Sequence, residues 1–140
     1  MNILIKILLS STLFFIISCS SSYENLTKNR FEPKSELSKY LYEEYKKKAI
    51  FEAKKMHDWN SAKLYSEKAI SSANGEKILP QKINYWKTST NHRAELIVAY
   101  NNLITVYEKG ADLDPLNLAK AISSLDCWSE QSEENWQFDD

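Results

Sequence analysis

The sequence contains few of the residues that break helices, ligate metals or cross-link a chain. Its 140 residues include only two glycines, three prolines, two cysteines and two histidines. Two glycines cannot build a phosphate-binding loop, and the chain has neither a His-Glu-x-x-His zinc motif nor a Gly-x-Ser-x-Gly nucleophile elbow. We therefore predict no catalytic residue and no metal ligand, and we expect the protein not to be an enzyme.

An excess of charge of one sign is also missing. The chain has 18 basic and 19 acidic residues, a formal net charge of −1. This balance argues against nucleic acid or an anionic lipid surface as a partner. Helix-favouring Lys, Glu, Ala, Leu and Ile are abundant, and this composition predicts an all-α protein.

The strongest motif lies in the first 19 residues. Lys6 precedes an apolar run that ends in Ile16-Ile17-Ser18-Cys19, and three serines follow at once. The run is shorter than the roughly 20 apolar residues that a spanning helix needs, whereas a signal peptide needs only about 7 to 15. We therefore predict a signal peptide over residues 1–18.

This site resembles the cleavage site of bacterial lipoproteins, in which the cysteine thiol takes a diacylglycerol and the new amino terminus is acylated. The resemblance implies Cys19 as the lipidation site, and this covalent lipid is the only cofactor we expect. Each buried methylene contributes about 0.8 kcal/mol, so two or three acyl chains hold a protein on a membrane essentially permanently. By resemblance to the sorting rule of Gram-negative lipoproteins, Ser20 in the position after the cysteine, where retention uses Asp, implies the outer membrane and a body that faces the periplasm. A secreted protein with an incidental Cys19 is the alternative.

Downstream of Cys19 the pattern predicts a flexible tether and then one helical domain. Residues 20–34 are polar and aperiodic and include Pro33, as is typical of a linker. Residues 35–140 form the predicted domain. Apolar residues at helical spacing predict four main helices, over residues 35–57, 58–75, 91–109 and 114–135. We expect them to form two antiparallel helical hairpins.

Caps and stops define the predicted ends of these helices. Asp58, Asn60 or Ser61 caps the second helix, and Gly75 and Gly110 end the second and third. Asp114-Pro115 is a cap followed by proline at the first helical position, which begins the fourth helix. The third helix is the most apolar of the four, so we expect it to be the core helix.

Several polar and aromatic residues need separate interpretation. Glu52 falls inside the apolar arc of the first helix, either as a rim residue or as the partner of a residue on a neighbouring helix. Residues 78–90 predict an ordered loop whose aromatic residues fill gaps, with a ligand-binding aromatic shelf as the alternative. Cys127 is expected on an exposed polar face of the fourth helix. The residues expected beside it are Lys120, Glu130, Gln131 and Glu134.

The first hairpin weakly resembles a tetratricopeptide unit. Asp58-Trp59, Ala62 and Ala69 have the spacing of the second helix of that motif. The first helix lacks the aromatic and glycine positions of the motif, and no repeat of about 34 residues follows. The resemblance therefore does not predict a solenoid.

The segment DCWSEQSEENWQFDD, residues 126–140, resembles an Asp-Cys-Trp…Gln…Glu-Glu-Asn…Gln pattern found in proteobacterial OmpA-like, peptidoglycan-associated outer-membrane lipoproteins. Other positions that fit the family are Asp58-Trp59, Lys68-Ala69, Gly75, Pro80 and the motif at Cys19. The resemblance covers about residues 35–140 and implies the helical amino-terminal region of that family. The OmpA-like domain would come after Asp140, so none of its ligand residues can be assigned here.

The same resemblance implies a second cysteine further downstream than Asp140. Cys127 would then be one half of a lost or intermolecular disulfide, or part of an interaction site. A tolerated free thiol is the alternative.

We therefore predict a lipid-anchored, periplasm-facing module with a structural or interaction role at the outer membrane. Its partners would be the membrane, through the lipid, and an envelope protein or the cell wall, with the oligomeric state left open. One alternative is an adaptor for outer-membrane assembly. Another is a hydrolase that uses clustered acids such as Glu52, Glu130 and Glu134.

Overall fold

A computed structural model describes residues 21–134, and within this range the chain forms five helices and no strand. The helices are α1 (Ser21–Lys28), α2 (Glu36–Phe51), α3 (Trp59–Ala73), α4 (Thr90–Leu113) and α5 (Pro115–Glu134). A π-helical turn, Glu52–Met56, extends α2, and a short 3₁₀ helix, Ile83–Tyr85, lies between α3 and α4.

The predicted all-α class is confirmed, with one helix more than predicted. The predicted signal peptide and Cys19 lie outside the described residues. No helix within residues 21–134 is long and apolar enough to cross a membrane.

Local hydrogen bonds explain where α2 and α3 begin and end. Ser35 and Ser38 form a reciprocal capping box, in which each hydroxyl oxygen accepts the backbone N–H of the other residue at 3.0–3.1 Å. Of the three candidate caps of α3, Asp58 is the one used: its Oδ1 accepts two backbone N–H groups in the first turn. Gly75 (φ +85°) takes the left-handed conformation that ends α3.

The core lies where α2, α3 and α5 meet, with α1 packed against α3 and α4 packed against α5. Alanines let α2 and α3 approach closely, and the ring of Tyr45 stacks on that of Tyr65 with centroids 5.9 Å apart. Among the described residues, the hydrophobic side chains that are almost fully buried are Leu26, Leu41, Tyr45, Ala49, Ala62, Tyr65, Ala69, Ala73, Leu96, Ala119 and Ile122.

Residues 21–28 form α1, so the prediction of a flexible tether is wrong for this part of the chain. Leu26 of α1 is fully buried, and the ring of Tyr23 meets the edge of Trp59 with centroids 5.9 Å apart. Trp59 itself is 46% exposed. Eight residues with one anchoring leucine are too few to show a helical period, which explains why the pattern missed α1.

Helix α4 does not end at Gly110 and is not the core helix, so both predictions are wrong. It continues to Leu113 because Gly110 does not take a left-handed conformation. The stop comes from Pro115, whose ring disfavours a helical conformation at the residue before it. Among residues 92–113 of this helix only Leu96 and Tyr107 are buried. The most apolar of the predicted helices therefore lies at the periphery.

Candidate functional site

Helix α5 turns acidic side chains toward its neighbours. Asp126 and Glu130 are one helical turn apart and are only 0% and 5% exposed, and Glu134 follows at the same spacing. We call Asp126, Glu130 and Glu134 the acid stripe. The exposed polar face predicted around Glu130 is therefore wrong, because α5 packs against α2, and its Asp126 and Glu130 contact Lys68 and Tyr65 of α3.

Asp126 accepts hydrogen bonds from three separate parts of the chain. The Tyr45 hydroxyl of α2 donates to it at 2.7 Å, Lys68 of α3 forms an ion pair with it, and the Gln81 backbone N–H donates at 2.6 Å. Lys68 also donates to the Leu79 carbonyl at 3.0 Å. A buried carboxylate is tolerated only with such partners, and here they connect α5 to α2, α3 and the segment that follows α3.

Burial changes the ionisation of the groups that surround Asp126. Burial, together with the nearby Asp126 carboxylate, raises the pKa of Tyr45 well above its ordinary value. Its hydroxyl therefore stays protonated and continues to donate. Burial lowers the pKa of Lys68, and the ion pair with Asp126 opposes that shift. The geometry is that of a buried ion pair whose hydrogen-bonding capacity is used within the fold.

Glu130 has fewer partners than Asp126. The Tyr65 hydroxyl donates to Oε2, whereas Oε1 is buried without a hydrogen-bond partner in the described part of the chain. Burial raises the pKa of Glu130, and the hydroxyl groups of Ser61 and Tyr65 oppose the rise. The neutral form of this carboxyl group is consequently more favoured than at an exposed position.

Glu52, in the π-helical turn after α2, lies close to the acid stripe. It is 8% exposed, which excludes the predicted rim position. Burial, followed by the charges of Glu130 and Asp58, raises the pKa of Glu52 to about 8. Burial also raises the pKa of Glu134, again with a contribution from Asp58. The carboxyl groups at this end of the molecule therefore disfavour one another's ionisation.

Cys127 is half-buried, which contradicts its predicted exposure. Burial raises the pKa of its thiol, and the nearby Lys48 opposes that shift. Within the described residues the thiol is free. Because the thiolate is the reactive form, a raised pKa lowers the reactivity of this cysteine. The predicted disulfide or interaction role stays a prediction.

A surface groove of about 440 Å³ opens near the same end of the molecule, between α3, the 3₁₀ helix and α5. Its lining includes Asp58, Ser61, Glu67, Tyr85, Trp86 and Glu133, and does not include Glu52, Glu130 or Glu134. Trp86 fills a gap as predicted, at 4% exposure, whereas Tyr85 is 55% exposed. Across residues 21–134 no three His, Cys, Asp or Glu side chains are arranged to hold a metal ion.

The residues at the centre of this site were missed in the sequence, although a signal was present. Tyr45 and Tyr65 lie on apolar helix faces, and a buried tyrosine hydroxyl usually has a hydrogen-bond partner. Asp126 and Glu130, four residues apart, have the spacing to accept from two such hydroxyls on adjacent helices. The arrangement joins helices and holds no group poised against an open cavity.

No family model, curated protein or solved structure matches this chain. The resemblance to OmpA-like lipoproteins therefore depends only on the sequence positions that carry it.

Proposed function

We propose that the protein is a lipid-anchored helical module of the bacterial cell envelope, located at the outer membrane and facing the periplasm. Its role would be structural or interactive and not enzymatic. The observation that carries the proposal is Cys19, which ends an apolar run as Ile16-Ile17-Ser18-Cys19 and is followed by three serines. A short apolar run after a basic residue is typical of export signals, and a cysteine at the cleavage point is typical of lipoproteins.

The described body supports a structural role. Asp126, Lys68 and Tyr45 use their polar groups on one another and on nearby backbone, so they join helices and leave no free reactive group there. Asp126 is also the first residue of the segment that resembles OmpA-like lipoproteins. The part of that segment within α5 therefore has a packing role in this chain.

We further propose that the helices form two antiparallel hairpins, α2 with α3 and α4 with α5. Ser72, near the end of α3, donates to the Ser38 carbonyl near the start of α2 at 2.7 Å, as antiparallel neighbours would. Only Asp114 separates α4 from α5, and these helices pack together. The tetratricopeptide-like α2–α3 unit favours the second candidate function, an adaptor in outer-membrane assembly.

A hydrolase has less support. Glu130 and Glu134 do lie near enough to raise the pKa of Glu52. None of these three residues, however, lines the groove beside them, and a catalytic carboxyl group must reach its substrate. The clustering of acids therefore does not by itself argue for catalysis.

Replacement of each cysteine tests the lipid anchor. We expect Cys19→Ala either to release the protein into the soluble periplasmic fraction or to leave it unprocessed with the signal attached. Cys127→Ala is the matched control and should leave processing and membrane association unchanged. Cell fractionation with mass measurement of the amino terminus distinguishes these outcomes. A Cys19→Ala protein that is still cleaved and still sediments with membranes would show that the proposal is wrong.

The nature of the partner requires a separate experiment. Crosslinking in cells, followed by purification, should recover outer-membrane assembly subunits if the protein is an adaptor. Sedimentation with isolated murein would instead support a role at the cell wall.

A further inference from the structure

Helix α4 carries a row of exposed residues on the side away from the core. Val98, Val106 and Leu113 are 59%, 52% and 72% exposed. Between Glu95 and Glu108 the helix contains no charged residue at all. Aliphatic side chains that line up on an uncharged outer face are typical of an interaction surface.

From Glu95 to Lys109 this row is self-complementary about Asn102. At 100° per residue, Glu95, Val98, Asn102, Val106 and Lys109 fall within about 80° of the helix circumference, and all five are exposed. We call these five residues the α4 stripe. Val98 and Val106 are equally far from Asn102 along the chain, and so are Glu95 and Lys109. Antiparallel pairing of two such stripes would match each residue with its counterpart.

We propose that the α4 stripe binds the same stripe of a second copy of this chain, with the two helices antiparallel about a two-fold axis at Asn102. Glu95 then faces the partner's Lys109, Val98 faces the partner's Val106, and the two copies of Asn102 meet on the axis. Such an interface is closed and isologous. A single polar residue at its centre fixes the register of the helix pair, as a buried asparagine does in coiled coils.

The charges of Glu95 and Lys109 favour a second, antiparallel copy of the α4 stripe as its partner. Parallel pairing would place Glu95 against Glu95 and Lys109 against Lys109, whereas antiparallel pairing makes two opposite-charge contacts. Each charge lies about 10 Å along the helix from Asn102, so the uncharged centre fits between them. Neither Glu95 nor Lys109 has an ion-pair partner among residues 21–134. Because a contact of about four helical turns is small, we expect a dimer that exchanges with monomer.

Disulfide crosslinking of the full-length protein tests the register. In a Cys127→Ser background, Asn102→Cys should give a covalent dimer under mild oxidation, because the two copies of this position meet on the axis. Ser124→Cys, exposed on α5, is the matched control and should give at least about tenfold less dimer. Differently tagged Val98→Cys and Val106→Cys chains should crosslink with each other. Neither should crosslink with itself, since its two copies lie about 12 Å apart along the axis.

Charge reversal tests the pairing independently. Glu95→Lys and Lys109→Glu should each weaken dimerisation about tenfold at low salt, and the double variant should restore it to within about twofold. Lys39→Glu, exposed on α2, should have no effect. Sedimentation of the full-length protein in detergent measures the dimer, and circular dichroism confirms that each variant is folded. A monomer at all concentrations, equal crosslinking at Ser124→Cys and Asn102→Cys, or no rescue by the double variant would overturn the proposal.

Discussion

Helix α4 exposes Val98 and Val106, whereas α5, the helix packed beside it, buries Asp126 and Glu130. The difference comes from what surrounds each helix. Helix α4 packs mainly on α5 along one side, so its second apolar face has no covering within residues 21–134. Helix α5 packs between α2 and α4. The buried hydroxyl groups of Tyr45 and Tyr65 and the ammonium group of Lys68 need hydrogen-bond acceptors, and the carboxylates of α5 supply them. Whether a helix is buried therefore depends on the hydrogen bonds that its neighbours need as well as on its own hydrophobicity.

The largest expected effect comes from the best-paired acid of α5. Asp126→Asn should lower the free energy of unfolding by about 3 kcal/mol, because it leaves Lys68 without its counter-ion and turns an amide N–H₂ toward other donors. Urea denaturation of the purified protein measures this change. A loss below about 0.5 kcal/mol would mean that the buried ion pair contributes little to this fold.

Glu130→Gln is the matched comparison one turn further along α5. Glutamine still accepts the Tyr65 hydrogen bond, and it removes a carboxyl group whose Oε1 is buried and unpartnered in the described chain. We therefore expect a change of less than about 1 kcal/mol at neutral pH. Equal losses for Glu130→Gln and Asp126→Asn would show that the two acids are held in the same way.

A second prediction separates the two faces of α4. Leu96 is fully buried and Val98 is 59% exposed, although both are aliphatic and only two residues apart. Leu96→Ala should cost about 2 kcal/mol, at the low end for buried leucines because this helix is covered on one side only. Val98→Ala should cost less than about 0.5 kcal/mol. Both are measured by urea denaturation at low protein concentration, where α4 pairing is dissociated. Similar losses at the two positions would contradict the exposed face.

The sequence was sufficient wherever one residue type determines the local backbone. The polar cap before α3, the Gly75 stop and the Asp114-Pro115 start each depend on hydrogen bonds or torsion angles within a few residues. The predicted ends of α2 and α3 and the predicted start of α5 are consequently close to those in the structure.

The sequence did not predict burial where it depends on contacts with residues far apart in the chain. The sequence around Leu26 does not predict that this residue packs on α3, because a polar stretch with a single leucine is also typical of a linker. Glu130 belongs to a polar face by helical periodicity alone, and only the position of Tyr65 on another helix explains its burial. The position of the candidate site therefore depends on tertiary contacts, which the periodicity of the sequence does not predict.

The last expected effect concerns Glu52, and it appears as a dependence of stability on pH. The pKa of Glu52 is raised to about 8 from an ordinary 4.5, so the folded state holds this proton more tightly than the unfolded state. Stability should therefore fall as the pH rises from about 4.5 toward 8, and the loss is complete above about 8. Glu52→Gln removes this titration and keeps the size of the side chain.

We expect the wild type and Glu52→Gln to be about equally stable near pH 4, and the variant to be more stable by on the order of 1–2 kcal/mol near pH 8.5. This difference in stability is smaller than the full pKa shift of Glu52 would give, because relaxation of the protein and water penetration reduce the cost of a buried charge. Glu43→Gln, exposed on α2, is the control and should show no such trend. Urea denaturation across this pH range measures both. A gap that stays constant with pH would mean that folding does not shift the pKa of Glu52, and a gap that is widest in acid would mean that the fold stabilises its carboxylate. Either result would contradict the raised pKa.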